Sequence, residues 1–511
     1  MNHKQSYPWQ EIVFSGELLA GLSFIVYLLT LCPGIYGFDS AELATGVYTQ
    51  GIVHPPGFPL YMLVGKLFTL LPIGSIIYRL NLMSAFFAAA TIYFLYQALA
   101  LLFQPRWISW VAAAFLAFSI YFWQMSVVAE VYTLHTFFLA LELFLLLRWR
   151  RIGTSGLLIF FAFIYGLSLT NHTTGLFFAP GFAWLIVSSR HWKWKPGWFW
   201  GAALLAFFGS LLVYLYLPLR ADSSAGLNYI KEYYLVDVTT LSGLLWMISG
   251  RAYSFFAFGY PLNQIPAQLW NGLELLWRNF IGVGALVALF GVYGFFKRNW
   301  ESALGLFLIF LGNFGFYINY RVLDKDTMFL PSFLICVFFL AAGVDEIYQW
   351  TQNQRFTPDI RKTLANGQPV FWAAIAVLAC ALNWQWVDMS RTVGPESYSS
   401  MVLASAAPNS TIVAGWSTAV VLEYEQLVEG KRPDLLIYNS SRSEVALYYR
   451  YWSQNLPEDQ IMTLVNQNEL RLIDQFYQEG NVYSIEYDST LAGEYSYVPV
   501  GVYYQLQEKA K

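Results

Sequence analysis

Two strongly apolar segments flank Gly37-Phe-Asp-Ser-Ala-Glu-Leu43 and, shortly after it, Gly51-Ile-Val-His-Pro-Pro-Gly-Phe-Pro-Leu-Tyr61. This stretch places Asp39, Glu42 and His54 beside a membrane. Because glycine and proline frame these residues, the sequence predicts a fixed loop without regular helix. Ionisable groups at a bilayer surface indicate a functional site. The alternative is a solvated acidic loop, since loops collect Asp, Gly and Pro.

The composition is that of a polytopic membrane protein. Of the 511 residues, 57% are hydrophobic and only 12% are charged, whereas soluble proteins have about 25% charged residues. The net charge of −3 argues against nucleic acid as a partner, because phosphate binding needs a basic face. Cys32, Cys336 and Cys380 lie far apart within apolar segments, which predicts neither a disulfide framework nor a metal cluster.

Apolar windows of about 20 residues predict about eleven transmembrane helices. The first window lacks the small-residue cleavage pattern of a signal peptide, so we expect a retained helix. The apolar segment Pro59–Leu71 is shorter and ends at prolines, and we expect an interfacial helix there. The windows are 13–33, 81–103, 107–124, 127–147, 155–170, 174–189, 198–219, 279–297, 302–320, 328–349 and 369–387.

Lysine and arginine in the connections predict the orientation. Eight of these residues lie in the connections on the outward side and eight follow residue 388. By the positive-inside rule the N-terminus is cytoplasmic, and the 34–58 loop, the 220–278 loop and the C-terminal segment face outward. The thirteen on the cytoplasmic side are Lys4, Arg106, Arg148, Arg150, Arg151, Arg190, Lys193, Lys195, Lys297, Arg298, Arg355, Arg361 and Lys362.

Acids and bases gather on the outward side at the ends of the spans. Each has a structural interpretation as well, since an arginine can reach lipid headgroups and an acid can cap a helix. Together, beside an irregular loop, they predict the lining of one cavity. They are Asp39, Glu42, His54, Glu130, His172, Arg220, Arg321, Asp324 and Asp326.

The composition becomes that of a soluble protein after about Asp388. We therefore predict a transmembrane domain over 1–387 and a small extracytoplasmic α/β domain over 388–511. Short β-like runs alternate there with helical patterns. Strands are expected at Thr411–Ala414, Leu435–Tyr438, Val482–Tyr487 and Tyr497–Leu506, and helices at Thr418–Val428, Glu444–Trp452 and Asn468–Tyr477.

A cavity with acids and bases at the outer membrane surface suits group transfer from a lipid-linked donor. A phosphate leaving group needs cationic side chains, and an attacking hydroxyl needs a carboxylate base. At these residues the sequence resembles the GT-C superfamily of polytopic glycosyltransferases, and within it the transmembrane O-mannosyltransferase-like family. The motifs that carry the resemblance are the opening stretch, Ala129-Glu-Val-Tyr132, Gly166-Leu-Ser-Leu-Thr-Asn-His172, Leu217-Pro-Leu-Arg220, Asp324-Lys-Asp-Thr-Met-Phe-Leu-Pro331, Gly430-Lys-Arg-Pro-Asp434 and Pro499-Val-Gly501.

The resemblance implies a GT-C fold whose first outward loop supplies the catalytic acidic residue and whose donor is a polyprenyl-phosphate sugar. Asp39 matches that position, so we expect it to act as the general base toward an acceptor hydroxyl, with inversion at the anomeric carbon. The resemblance also gives expectations for the remaining residues. Acceptor and donor would be oriented by Glu42, His54, Glu130 and His172, and the lipid phosphate would be bound by Lys66, Arg220 and Arg321.

No obligatory metal or other cofactor is expected. Asp324 and Asp326, two carboxylates one residue apart, are a weak signal for a divalent cation. The chain also departs from the family pattern in its tail, where an acidic residue often follows the first strand and this sequence has Ala414-Gly-Trp416. We therefore assign the tail no residue in acceptor binding.

The sequence thus predicts an integral-membrane glycosyltransferase that moves mannose or a similar sugar to a hydroxyl of a protein, lipid or glycan outside the cytoplasm. One alternative is a flippase for lipid-linked sugars or a solute transporter, which would need charges distributed through the bilayer depth. Another is a non-catalytic assembly protein, in which Asp39 is replaceable. We expect a bacterial inner membrane rather than the endoplasmic reticulum, because the chain lacks a recognisable retention signal.

Overall fold

The computed structural model describes residues 14–192, 196–223, 226–322 and 324–509. Lys4, Lys193 and Lys195, used above for the orientation, lie outside these residues, as do the start of the first window and the two ends of the predicted domains. The α-helices up to residue 387 are α1 (Gly16–Leu29), α2 (Asp39–Thr49), α3 (Pro59–Phe68), α4 (Ile76–Ala100), α5 (Arg106–Ala117), α6 (Ile120–Ser126), α7 (Tyr132–Ile152), α8 (Ser155–Leu169), α9 (Ala179–Val187), α10 (Gly197–Ser210), α11 (Tyr216–Arg220), α12 (Leu241–Ile248), α13 (Ile265–Asn279), α14 (Val283–Tyr317), α15 (Leu330–Asn353) and α16 (Pro358–Val387).

Five helical segments of the described chain are long and apolar enough to cross a membrane, or seven if each of two bent pairs is one span. Several predicted windows are shorter helices, such as α1 and α8, and the windows 279–297 and 302–320 merge into α14, which is interrupted at Asn299. The protein is therefore a multi-pass helical membrane protein, and the count of eleven spans stays a prediction. The five segments are Ile76–Ala100, Tyr132–Ile152, Gly197–Arg220, Lys325–Asn353 and Pro358–Val387.

The prediction of a non-helical loop at Asp39 and Glu42 is wrong. Both residues lie in the first turn of α2, which runs from Asp39 to Thr49. The breakers stand outside it, at Gly37 and from Gly51 onward, whereas residues 39–49 contain no proline and include Ala, Glu and Leu, which favour helix. Between α2 and α3, the irregular backbone covers residues 50–58, before α3 begins at Pro59.

The backbone of residues 51–52 is held by residues 227–229. The Ile52 N–H donates to the Leu227 carbonyl (3.1 Å), and the Tyr229 N–H donates back to the Ile52 carbonyl (3.0 Å). A Cβ at Gly51 would collide with the Leu227 carbonyl oxygen, so only glycine allows this close approach. This pairing fixes the start of the loop that carries His54.

The chain after Val387 forms a five-stranded sheet flanked by helices. Its strand order is β2-β1-β3-β5-β4, with β1 parallel to β2 and β3, and β5 antiparallel to β3 and β4. The strands are β1 (Thr411–Ala414), β2 (Leu436–Asn439), β3 (Val482–Ser484), β4 (Tyr495–Val500) and β5 (Tyr503–Glu508), and the helices are α17 (Gly394–Ser405), α18 (Trp416–Leu427), α19 (Ser440–Trp452), α20 (Glu458–Glu479) and α21 (Leu491–Glu494).

The single strand expected over 497–506 is instead a hairpin of β4 and β5. Its two-residue turn is Gly501-Val502, with Gly501 at φ +64°. Glycine at the first position of a two-residue hairpin turn is favoured because it accepts positive φ. The first strand, β1, has the bounds expected from the sequence, and β2 is displaced by one residue.

The segment after Val387 packs directly on the helical part. Val420, Val421 and Tyr424 of α18 belong to the same apolar core as the helices before residue 387. The Met389 N–H donates to the Thr30 carbonyl (3.1 Å), and the Ile35 N–H donates to Oε1 of Glu396 (2.9 Å). The chain between α1 and α2 is therefore clamped by the C-terminal segment.

This clamp gives a test at Gly34. A Cβ at that position would collide with the Glu396 carboxylate, whereas a Cβ at Gly37 meets nothing within 4 Å. We expect Gly34→Ala to push the Glu396 carboxylate away from the Ile35 N–H. The loss of this hydrogen bond should destabilise the protein by about 0.5–1.5 kcal/mol and lower its apparent melting temperature in detergent. Gly37→Ala is the matched control and should melt close to wild type. Equal melting temperatures for the two variants would contradict this contact.

Candidate functional site

The two acidic residues of α2 share one face at its start. Asp39 and Glu42 are three residues apart, so their side chains are neighbours on the helix surface, and carboxylates are favourable at a helix N-terminus. Their environments differ, because the Glu42 side chain is fully buried whereas 23% of the Asp39 side chain is exposed. Asp39 is therefore the carboxylate of this pair that a substrate can reach.

His54 binds Glu42 through both its backbone and its ring. The backbone N–H donates to Oε1 of Glu42 (2.8 Å), and ring Nδ1 lies 2.6 Å from the same oxygen. The Nδ1 atom is also 3.7 Å from Oδ1 of Asp39. The structure thus brings together Asp39, Glu42 and His54, which the sequence analysis had grouped as one site.

Arg442, in the first turn of α19, is a fourth member of the site that the sequence did not predict. Its Nη2 donates to Oε2 of Glu42 and lies 3.5 Å from Oδ1 of Asp39 and 3.2 Å from Nδ1 of His54. The Arg442 side chain is 7% exposed. A guanidinium from the C-terminal segment is therefore inserted between the two carboxylates of α2.

One signal in the sequence could have found Arg442. Residues that follow the carboxyl ends of neighbouring parallel strands meet at one edge of a sheet. Trp416 follows β1 and Arg442 follows β2, and the Arg442 guanidinium lies 5.7 Å from the Trp416 ring. Trp416 also contacts Phe38, with ring centroids 5.6 Å apart, so the position where an acidic residue was expected does reach the site.

The surroundings of the two carboxylates shift their pKa values in opposite directions. Burial raises the pKa of Asp39 to about 6, although His54 and Arg442 act in the opposite direction. Burial would also raise the pKa of Glu42, but Arg442 and His54 outweigh it and lower that pKa to about 2. Burial alone would lower the pKa of His54, but Asp39 and Glu42 raise it. Glu42 is thus held as an anion, and Asp39 titrates near neutral pH.

Two further acids face the same region. Glu130 is buried, and its pKa is raised well above the usual value by burial and then by the charges of Asp39 and Asp324. The pKa of Asp324 is raised by burial and is lowered in part by His54 and Arg442. Both residues are therefore close enough to the cluster to share its electrostatic field.

His172 is connected to His54 through the ring of Phe58, which lies between them. Its ring contacts Phe58 (centroids 5.9 Å apart), which in turn contacts His54 (5.3 Å). The Nδ1 atom of His172 is 2.7 Å from the hydroxyl of Thr174. Burial lowers the pKa of His172 to about 4, and His54 adds to this effect. At neutral pH His172 is a neutral donor or acceptor beside the cluster.

Lys66 and Arg220 do not join the cluster. Lys66 donates to the Tyr48 carbonyl (2.7 Å), and Arg220 donates to the carbonyls of Gln50 (2.7 Å) and Thr49 (3.3 Å). These carbonyls end α2, some 15 Å from Asp39 at 1.5 Å per residue. Cations are favourable at a helix C-terminus, so in this structure both side chains stabilise the end of α2. Their assignment to the lipid phosphate stays a prediction.

Arg321 is exposed, and its side chain makes no hydrogen bond or ion pair with the described residues. Asp326 feels mainly the charges of Lys325 and Arg278, unlike Asp324, which feels His54 and Arg442. Within the described ranges, the group whose ligand atoms are close enough to hold a cation is Asp39, Glu42 and His54, all within 4.8 Å. The Arg442 guanidinium already contributes positive charge there, so a cation would have to displace it.

The sequence comparisons identify a family match and two relatives of this chain. Residues 39–195 match the family described as Protein O-mannosyl-transferase TMEM260 N-terminal domain. Protein O-mannosyl-transferase TMEM260 of Mus musculus is 32% identical over 257 residues, which is 49% of this chain and 36% of the relative. The relative of the same name in Dictyostelium discoideum is 24% identical over 461 residues, which is 80% of this chain and 55% of the relative. The chain thus matches about a third to a half of the curated relatives' length.

The structural comparisons establish the fold. Crystal structures of ArnT from Cupriavidus metallidurans, bound to undecaprenyl phosphate and in the apo state, superpose with TM-scores of 0.51 and 0.52. Each alignment covers 96% of this chain and 97% of that chain, at 11% and 12% identity. The polytopic helical fold that the sequence resemblance implies is therefore confirmed. The two curated relatives are eukaryotic, so they do not favour the expected bacterial membrane.

The different pKa values of the two carboxylates predict different stability changes with pH. The folded pKa of Asp39, about 6, lies above its usual 3.8, so ionisation destabilises the fold as pH rises between these values. The melting temperature of Asp39→Asn relative to wild type should therefore rise from pH 3.8 to about pH 6 and then level off. A difference that falls over this range would contradict the raised pKa.

Glu42→Gln is the comparison for that titration. The folded pKa of Glu42, about 2, lies below its usual 4.5, so its stabilising contribution is complete above pH 4.5 and is lost only as pH falls toward 2. We expect Glu42→Gln to lose about 3–5 kcal/mol, because Arg442 is left buried without its partner. Its melting temperature should lie below wild type throughout the interval from about pH 5 to pH 8, and equal melting temperatures in this interval would contradict the assignment.

Proposed function

We propose that the protein is a GT-C-type glycosyltransferase in which Asp39 is the general base. The observation that supports this assignment is the division of roles among the acids at the site. Glu42 is buried and bound by His54 and Arg442, and Glu130 is buried with a raised pKa. Asp39 alone among these three is partly exposed, and its pKa of about 6 suits a base that works near neutral pH.

The proposed reaction is one displacement. The Asp39 carboxylate takes the proton of the acceptor hydroxyl, the hydroxyl oxygen forms a bond to the anomeric carbon, and the bond from that carbon to the lipid phosphate oxygen breaks. The phosphate leaves with the bonding electrons, and the anomeric centre is inverted. His54 and Glu42 fix the surroundings of Asp39, and Glu130 and His172 are placed to orient the sugar or the acceptor.

The donor and acceptor are proposed from the relatives. ArnT, which shares the fold, has been crystallised with undecaprenyl phosphate, and this supports a polyprenyl-phosphate sugar as donor. The curated relatives are named protein O-mannosyl-transferases, which supports mannose as the sugar and a protein hydroxyl as acceptor. Arg321 is the candidate for the lipid phosphate among the three predicted cations, because its side chain is not engaged by described residues.

The proposed setting is the extracytoplasmic side of the membrane. The thirteen basic residues counted on one side support a cytoplasmic N-terminus by the positive-inside rule. The acidic site, which consists of Asp39, Glu42 and His54, lies between α1 and α3, in the connection that this orientation places outside. No obligatory cofactor is proposed, since Arg442 contributes positive charge beside the carboxylates.

One observation favours the transporter alternative. Glu142 lies in the interior of α7, is buried, and has an Oε1 atom without a hydrogen-bond partner in the described structure. A buried carboxylate within a span is typical of an ion or substrate pathway. If Glu142→Gln abolished movement of a lipid-linked sugar across vesicles while sugar transfer was absent, the transporter function would replace the one proposed.

The test of the proposed function is sugar transfer by the purified protein in nanodiscs with a panel of polyprenyl-phosphate sugars and a hydroxyl-bearing peptide. We expect one donor to be consumed and Asp39→Asn to reduce turnover about 10²- to 10⁴-fold, the usual loss for a positioned base, while donor binding persists. Asp222→Asn is the control, since Asp222 is exposed and pairs with Lys231. Equal turnover by wild type and Asp39→Asn would contradict the role of Asp39.

A further inference from the structure

Arg442 is held in place by contacts from both parts of the chain. Its backbone N–H donates to Oδ1 of Asn439 (3.2 Å), which caps the start of α19 and directs the residue toward α2. Its Nη1 donates to the Tyr253 hydroxyl (2.6 Å), and its guanidinium lies 5.5 Å from the Tyr229 ring and 5.7 Å from the Trp416 ring. The planar group is thus fixed between aromatic faces before it meets Glu42.

The same aromatic residues connect back to the C-terminal segment. The Tyr229 hydroxyl donates to Oε2 of Glu423 (2.5 Å), and the Tyr233 hydroxyl accepts the Asn439 N–H (3.2 Å). The Ile77 N–H at the start of α4 donates to the Tyr424 hydroxyl (3.3 Å). Met389 and Glu396 of the C-terminal segment also contact the chain before α2. Together, these contacts place the C-terminal segment against several sides of the acidic site.

The position of the Arg442 guanidinium determines which of the nearby carboxylates has its negative charge compensated. Asp39, Glu42 and Glu130 would repel one another in a buried setting, because like charges raise the cost of ionisation. Arg442 offsets this repulsion at Glu42 and leaves the exposed side of Asp39 free. Both Nη groups of Arg442 are directed at Glu42, Asp39 and Tyr253, and its buried Nε has no hydrogen-bond partner among the described residues. The Nη groups therefore act on the acids rather than on a substrate.

We propose that Arg442 is the positioning residue of the acidic site, and that the C-terminal segment is an obligatory part of the catalytic unit. This inference rests on the proposed function. It predicts that loss of the guanidinium disturbs the orientation of Asp39 toward the acceptor, which slows the chemical step, while the affinity for the donor is little changed.

The experiment compares the kcat and KM of Arg442→Ala, Arg442→Lys and Arg450→Ala in the full chain, each checked for monodisperse elution. Arg450 is the matched control because it lies on the same helix and is exposed. We expect kcat to fall roughly 10- to 100-fold for both Arg442 variants, the scale of loss from a small misplacement, with donor KM within about 3-fold. Arg450→Ala should match wild type. Added guanidinium ion should restore part of the kcat of Arg442→Ala and leave Arg442→Lys unchanged.

Tyr253→Phe tests the same role with the loss of a single oxygen, so it answers the question even if the Arg442 variants do not fold. It removes the anchor for Nη1, and we expect a smaller fall in kcat, about 3- to 10-fold, at unchanged donor KM. A raised KM with unchanged kcat would show that Arg442 binds substrate instead. Unchanged kinetics in all these variants of an active protein would contradict the inference alone, whereas a wild-type protein that consumes no donor would contradict the proposed function first.

Discussion

The ion pair between Glu42 and Arg442 is the constraint on which the rest of the site depends. It joins the first turn of α2 to the start of α19, two residues that are 400 positions apart in the chain. A buried carboxylate without a partner is strongly unfavourable. Glu42 accepts from His54 through Oε1, and the docked C-terminal segment supplies the guanidinium that binds Oε2. Two other sets of contacts hold the chain on either side of α2. Met389 and Glu396 bind the chain before it, and residues 227–229 pair with residues 51–52 after it. The parts of the chain before and after Val387 are therefore one structural unit around this pair.

This arrangement gives chemically different roles to side chains that look alike in the sequence. Glu42 is neutralised by Arg442 and accepts from His54, Glu130 is buried with a raised pKa, and Asp39 keeps an exposed face and titrates near neutral pH. A reaction that removes a proton from a hydroxyl needs one such base with stable surroundings. The burial of the cluster strengthens each of these interactions, because the effective dielectric constant is lower than in water.

Much of this could be predicted from local sequence, and the exceptions have physical causes. The apolar windows and the motif around Asp39 and His54 predicted a helical membrane protein with these residues together in the connection after the first helix, and β1 was predicted at its observed bounds. The helix at Asp39 is hard to predict because glycines and prolines flank it in the sequence, although the residues between them favour helix. Lys66 and Arg220 were grouped with the site by chemistry, but they bind the carbonyls at the opposite end of α2. The position of Arg442 after β2 places it at an edge of the sheet, but its neighbours in sequence do not show that its partners are Asp39 and Glu42 of the distant α2.

A double-mutant cycle between Glu42 and Arg442 would measure how strongly this pair joins the two parts of the chain. The free energy of unfolding would be measured for wild type, Glu42→Gln, Arg442→Gln and the double variant in the same detergent at pH 7. Residues in direct contact within one charged network show coupling energies of about 0.5–3 kcal/mol. We predict a coupling at the upper end of that range, with the double variant more stable than the sum of the two single losses implies. Losses that add to within about 0.5 kcal/mol, as for distant independent sites, would contradict the claim that this pair joins the two parts of the chain.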